Sequence, residues 1–248
     1  MTNQAPVGVD IGGTGIKVGI VDLDRGVLLG ERTRQVTPSP ATPEAVADAV
    51  THMLGQHDST GPIGLTMPAV VLHGVVMTAS NIDPSWIGTD AVALFGKATG
   101  RPVDVVNDAD AAGVAEMRYG AGRGHDGVVV LITLGTGIGS GLFVDGVLVP
   151  NSELGHLHLH HGDAEDWAAE SARERESLSW EEWAHRLSTY LETVEQLLWP
   201  DLFILGGGVS RKSDKFVPLL KCRTSVVAAE LHNDAGVVGA AMFAPTGA

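Results

Sequence analysis

Two short runs in this chain wrap glycines around a threonine: Asp10-Ile11-Gly12-Gly13-Thr14-Gly15-Ile16-Lys17 and Leu134-Gly135-Thr136-Gly137-Ile138-Gly139-Ser140-Gly141. Glycines keep Cβ atoms out of the way, so a row of backbone N–H groups can cradle phosphate oxygens. Asp10, at the end of an apolar run, can hold a hydrated Mg²⁺, while Thr14 and Lys17 supply a hydroxyl and a cation for phosphate. Thr136 and Gly137 repeat the pattern in the second half. Asn107-Asp108-Ala109-Asp110 closes a second apolar run, the point where α/β folds bind ligands. One of these residues caps the helix that follows. Asp108 can take the proton of a sugar hydroxyl attacking phosphorus, and the helix N-terminus favours its charge. Asp110 reads equally well as a first-turn helix acid.

Glu153-Leu154-Gly155-His156 sets a carboxylate and an imidazole three residues apart, able to bind vicinal hydroxyls. His158, His160 and His161 extend the run, but their spacing suits alternating strand faces better than a metal centre. Asn81-Ile82-Asp83-Pro84-Ser85-Trp86 leaves two readings open, with Trp86 either core or a pocket wall. Gly206-Gly207-Gly208 ends a strand and is either a plain βα turn or a close approach for an anionic ligand. Five basic residues follow between positions 211 and 223 (Arg211, Lys212, Lys215, Lys221, Arg223) against Asp214 alone. They form either a solvated helix face or a track for a polyanion.

The elements that must position these groups follow from periodicity. Alternation on both sides of each glycine run predicts two β-hairpins. Strands are expected at 6–11, 16–22, 26–36, 63–67, 70–77, 102–106, 128–134, 141–145, 147–149, 202–205 and 225–228. Helices are expected from about 43 to 57, to Thr99, to Tyr119, over 164–175 and 179–198, after Gly208, and from Asp234. A strand after Gly15 argues against a dinucleotide fingerprint, which needs a helix there, and no G-x-x-x-x-G-K-[ST] occurs. Gly120–Gly127 reads as an interdomain linker or a mobile loop. The expected lobes are 1–107, joined by 234–248, and 108–233.

Charge and cysteine content narrow the function. The formal net charge of −14 disfavours a general nucleic-acid binder. A single cysteine, Cys222, leaves no internal disulfide and no multi-cysteine zinc site. No apolar run is long enough for a membrane span. The N-terminus lacks the pattern of an export signal, which predicts a cytoplasmic protein.

In this order, Asp10–Lys17, Asn107-Asp108, Leu134–Gly141, Glu153–His156 and Gly206–Gly208 resemble the motifs of the ROK family of sugar kinases. The resemblance covers practically the whole chain. It implies a two-lobed ribonuclease H-like α/β fold of the actin/hexokinase/Hsp70 superfamily with a central cleft. It further implies Asp108 as catalytic base, sugar contacts at Asn81, Asn107, Asp108, Glu153 and His156, and Glu165 as a last sugar-binding glutamate. Phosphate would lie at Asp10, Gly12, Gly13, Thr14, Lys17, Thr136 and Gly137, with Mg²⁺ bound through water at Asp10. The donor would extend along Gly206, Gly207, Gly208, Arg211, Lys212 and Lys215.

Many family members carry a cysteine-rich zinc motif where this chain has Gly162-Asp163-Ala164-Glu165, so no structural zinc is expected. Repressor members begin with a DNA-binding domain, whereas this chain begins at its first strand, so no nucleic-acid partner is expected. The wording of 81–88, 107–113 and 133–141 is most similar to the branch that uses inorganic polyphosphate. That likeness implies phosphorylation of glucose at its 6-hydroxyl from polyphosphate or ATP, by a homodimer. An ATP-only hexokinase acting on glucose, mannose or N-acetylmannosamine, and a non-catalytic sugar sensor, remain as alternatives.

Overall fold

A computed structural model describes residues 4–159 and 162–246. Buried apolar side chains build the first hairpin. Val7–Ile11 (β1) and Ile16–Asp22 (β2) pair antiparallel, with Ile11 opposite Ile16, so the turn is Gly12–Gly15. The strand expected over 26–36 breaks into Val27–Leu28 (β3) and Thr33–Gln35 (β4), both paired with β2. Gly30, at φ +99°, makes the break. Helix α1 (Pro43–Leu54) starts where Thr42 accepts from the Ala45 N–H with proline at the first turn.

Ile63–Met67 (β5) is buried along its length. The single strand expected at 70–77 is a hairpin, Val71–Leu72 (β6) with Val75–Val76 (β7), turning through His73 and Gly74 at positive φ. Helix α2 (Ala91–Thr99), strand β8 (Val103–Asn107) and helix α3 (Asp108–Tyr119) complete this half. The sheet order is β3-β2-β1-β5-β8, with β5 and β8 parallel to β1.

The second half repeats this plan. Val128–Leu134 (β9) and Ile138–Val144 (β10) form an antiparallel hairpin, extended by Val147–Val149 (β11). His158–Leu159 (β12) pairs with Gly162–Asp163 (β13). The helix expected over 164–175 is two pieces, Ala164–Ala168 (α4) and Glu170–Arg175 (α5). They part at Ala169, where the buried Trp183 indole donates to the carbonyls of Ala168 (2.9 Å) and Ala169 (3.2 Å). A Ser179/Glu182 capping box starts Trp180–Leu198 (α6). Leu202–Gly206 (β14) and Ser225–Ala228 (β15) run parallel to β9, giving the order β11-β10-β9-β14-β15. Gly208–Lys215 is a 3₁₀ segment with a kink at Lys212, where a helix was expected. Ala235–Met242 (α7) closes the chain.

The chain divides into two compact units: residues up to Ala115 with those from Asp234 onward, and Glu116–Asn233. The division falls inside α3, after Ala115 rather than after Asn107. Gly120–Gly127 is no linker, because it lies within the second unit. Each unit has its own core, with Val9, Ile11, Leu65, Trp86 and Phe95 in the first and Ile132, Trp183, Tyr190, Phe203 and Phe216 in the second. In the first unit α7 lies directly on the sheet, since a Cβ at Gly8 or Gly64 would run into the carbonyls of Val237 and Ala240. No helix among the described residues is long and apolar enough to cross a membrane.

Candidate active site

In the first unit the strand ends of β1, β2 and β8 gather the polar groups. The Gly12 N–H donates to the Gly15 carbonyl (3.0 Å), which closes the glycine turn and leaves Gly13 and Thr14 exposed at its tip. Thr37 steadies the turn by donating to the Gly12 carbonyl at 2.6 Å. A Cβ on Gly13 would stand 2.9 Å from the Asn81 carbonyl, so Asn81 reaches the tip through its backbone. Trp86 is fully buried, stacks on Phe95 and donates its indole N–H to Ala41, which makes it core and not a pocket wall.

Asp10 is opposite Lys17 in the β1–β2 register, and the two close an ion pair at 2.7 Å. Its other oxygen accepts from Thr66 at 3.1 Å. Two of about four carboxylate acceptor positions are therefore used, and the remainder can receive water of a hydrated cation. The donor set fits an outer-shell contact and not a chelate. Among the described residues, no group of three or more His, Cys, Asp and Glu side chains is arranged to hold a metal.

Asn107 caps α3: its carbonyl oxygen accepts from the N–H groups of Ala109 (2.9 Å) and Asp110 (3.0 Å). Its amide donates to the Ala69 carbonyl at 3.1 Å. Those bonds direct Asn107 toward the backbone, which fixes the start of α3 and with it Asp108. Asp108 is half-buried, and one oxygen accepts from the Ala109 N–H at 2.8 Å. Asp110 is buried.

In the second unit, the Gly135 N–H donates to the Gly137 carbonyl (3.1 Å), leaving Thr136 exposed. Ser171 latches this turn through its hydroxyl to the Thr136 carbonyl and its N–H to Gly135. A 3₁₀ turn at Leu154–His156 presents Glu153 and His156 side by side, 3.7 Å apart. The imidazole is ringed by carboxylates: its Nδ1 lies 3.2 Å from Asp163 and 3.9 Å from Glu165. Glu165 also accepts from the Ile138 N–H at 3.1 Å, tying it to the glycine hairpin. Burial pushes the Glu153 carboxyl up, which His156 opposes and Glu165 reinforces. Hydrogen bonds from His156 and His158 hold Asp163 below the usual carboxylate range. His160 and His161 lie outside the described residues.

Gly207 follows β14 at φ +83°, where a Cβ would strike the Leu134 backbone. The basic run does not stay together. Lys215 and Lys212 approach the Trp180 ring at 5.7 and 6.0 Å, and Arg173 lies over it at 3.9 Å. Arg223 turns to Trp199 and Glu195. Arg211 and Lys221 are exposed. Nearby, burial and Glu174 push the Glu170 carboxyl up, against the pull of Lys212 and Arg173. Thr37 in the first unit, and Asp163 and Arg173 in the second, escape sequence reading because tertiary pairing alone brings each to its own partners.

Residues 6–166 match the model of the ROK family. The chain is 52% identical to the polyphosphate glucokinase of Mycobacterium tuberculosis, over 97% of this chain and 91% of that protein. Among solved structures it is similar to an inorganic polyphosphate/ATP-glucomannokinase from Arthrobacter sp. strain KM. That match has a TM-score of 0.94 at 53% identity and covers 97% of this chain and 98% of that one. A ROK family glucokinase from Streptomyces griseus, solved with glucose and AMPPNP, matches with a TM-score of 0.83 at 28% identity, covering 96% and 98%.

Proposed function

The chain belongs to the ROK family, and on that premise we propose that it is a glucokinase moving the terminal phosphoryl group of inorganic polyphosphate to the 6-hydroxyl of glucose. One observation carries the donor: near full-length likeness, at 52% and 53% identity, to proteins named for polyphosphate. ATP as a second donor and mannose as a second acceptor follow from the name of the Arthrobacter enzyme. The reading carries with it a cytoplasmic location and a homodimer.

In this mechanism Asp108 accepts the O6 proton as O6 attacks the terminal phosphorus. The P–O bond to the bridging oxygen breaks, and the shortened chain leaves with its electron pair. The Gly13 amide and the Thr14 hydroxyl stabilise the transferring group, while Gly12 shapes the turn with its N–H on the Gly15 carbonyl; Gly137 and Thr136 offer the same groups in the second unit. Bound through water at Asp10, Mg²⁺ would offset charge on the donor. Lys17 acts on that carboxylate. Glu153, His156 and Glu165 take the sugar hydroxyls, with Asn81 and Asn107 shaping the backbone beside the acceptor. The donor chain runs past Gly206–Gly208 toward Arg211, Lys212 and Lys215.

The test is glucose 6-phosphate formation measured side by side with purified long-chain polyphosphate and with ATP. Product from ATP alone would move the chain to the ATP-only reading, and no product from either would leave a sugar sensor. Asp108→Asn should lower kcat by about 10²–10⁴-fold with an unchanged circular dichroism spectrum. Near-normal turnover would remove Asp108 from its role.

A further inference from the structure

The expected cation of the first glycine turn, Lys17, is engaged by Asp10. Its charge is offset within the protein and is not free for a polyanion. The next residue across the sheet is another cation, because β2 pairs with β4 in a register that sets Lys17 opposite Arg34. Asp10, Lys17 and Arg34 thus form one row across three adjacent strands. Arg34 is exposed, and among the described residues no ion pair or hydrogen bond holds its guanidinium. By contrast, Arg32 in the same segment is closed on Asp234 at 2.9 Å.

The guanidinium nonetheless has a defined seat. A Cβ on Gly15 would stand 3.0 Å from its Nη2, 3.1 Å from Nε and 3.2 Å from Cζ. Both nitrogens stand nearer than Cζ, so the Nε–Nη2 side of the group lies against the glycine. The same segment is anchored to the turn by Thr37 on the Gly12 carbonyl. Gly15 is therefore glycine partly to admit Arg34.

We propose that Arg34 is a donor-binding residue, pairing with oxyanions of the donor's terminal phosphates at the first glycine turn. This rests on the kinase reading above and names a contact within it. A planar guanidinium with several N–H donors binds phosphate oxygens in bidentate fashion, which a lysine cannot reproduce. Lys17 neutralises Asp10, and Arg34 supplies the turn's uncompensated positive charge.

The test uses Arg34→Gln, Arg34→Lys and Gly15→Ala in the full chain. Gly15 has an ordinary backbone conformation, and its added methyl meets the movable end of a side chain, so this variant should fold and displace the guanidinium. Arg34→Gln should raise KM for polyphosphate by about 10- to 100-fold, with KM for glucose unchanged within about twofold. Arg34→Lys should recover only part of the loss. The slope of log KM for polyphosphate against log salt should flatten. Gly15→Ala and Arg34→Gln combined should be no worse than Arg34→Gln alone.

Calorimetric titration with tripolyphosphate gives a readout independent of turnover. Weakened binding in both single variants supports the assignment. Wild-type binding and wild-type donor KM in Arg34→Gln would overturn it. Failure of the unaltered protein to phosphorylate glucose from either donor would overturn the kinase reading instead. An ATP arm tells which phosphate is touched: a rise with both donors assigns the contact to the transferring group, and a rise with polyphosphate alone assigns it to the chain beyond.

Discussion

Replacing Glu116 should cost the second unit much of its stability. This carboxylate is fully buried in α3, yet among the described residues no ion pair answers it. Its partners are backbone amides: Ala121 at 2.9 Å, Glu230 at 3.1 Å and Leu231 at 2.7 Å. One side chain thus ties the loop after α3 to the segment after β15. Glu116→Ala strands three partly buried N–H groups, each worth about 1–3 kcal/mol when buried and unsatisfied and less where water reaches it. Water entering the vacated space relieves part of this, leaving an expected loss of about 3–5 kcal/mol. Glu116→Gln keeps the volume and one acceptor oxygen but turns an NH₂ toward an amide, for a loss of about 2–3 kcal/mol.

Urea unfolding followed by tryptophan fluorescence reads this unit well, since Trp167, Trp180, Trp183 and Trp199 belong to it and only Trp86 lies outside. The midpoint should fall with little change in slope. Gly120→Ala supplies an independent check, because its methyl would collide with the Glu116 carboxylate. Its cost should shrink when Glu116 is already alanine. Shifts below about 0.5 kcal/mol in both Glu116 variants would refute the reasoning, since that is the range of ordinary surface substitutions.

Glu153→Gln should stabilise the protein at neutral pH while raising KM for glucose. Burial raises the native carboxyl above its unfolded value, so its ionisation costs stability above both values, and the gain should vanish as pH falls through the raised one. A gain equal at all pH values would contradict this when unfolding midpoints are compared across the acid range. Gly207→Ala combines a positive φ of +83° with a collision at the Leu134 backbone, and a loss of at least about 2 kcal/mol is expected from urea titration. A neutral result would mean that the turn after β14 relaxes freely.

The hairpins around Gly12–Gly15 and Gly135–Gly137 were legible because alternation on both sides of a glycine run is a local signal. The strand end at Asn107 and the helix start at Asp108 were legible for the same reason. What sequence did not disclose was register. Lys17 reads as a phosphate ligand until the β1–β2 pairing sets it on Asp10. Arg34 reads as part of one long strand until the break at Gly30 lets β4 pair separately with β2. The split of the 164–175 helix likewise depends on Trp183, whose indole claims two carbonyls from another helix. Each of these depends on strand register or on a contact between elements, for which periodicity carries no information.

Glycine itself shows where local reading stops. Gly12, Gly13 and Gly15 stand among polar residues and read correctly as a turn, one that leaves Gly13 exposed at its tip. Gly8 and Gly64 look like interruptions of apolar strands, and Gly239 like a weak point in a helix. All three mark close approach: a Cβ at Gly8 or Gly64 would strike α7, and one at Gly239 would strike the Ala111 carbonyl of α3. Gly236 does the same at the site, since its Cβ would stand 2.7 Å from the Asp10 carboxyl carbon. The start of α7 therefore packs on the carboxylate proposed to face the cation, although more than two hundred positions separate them in sequence. Substituting Gly236 would disturb Asp10 and its pair with Lys17 together. The last helix thus bears on the carboxylate of the first strand through the absence of a side chain, a dependence that only the folded chain reveals.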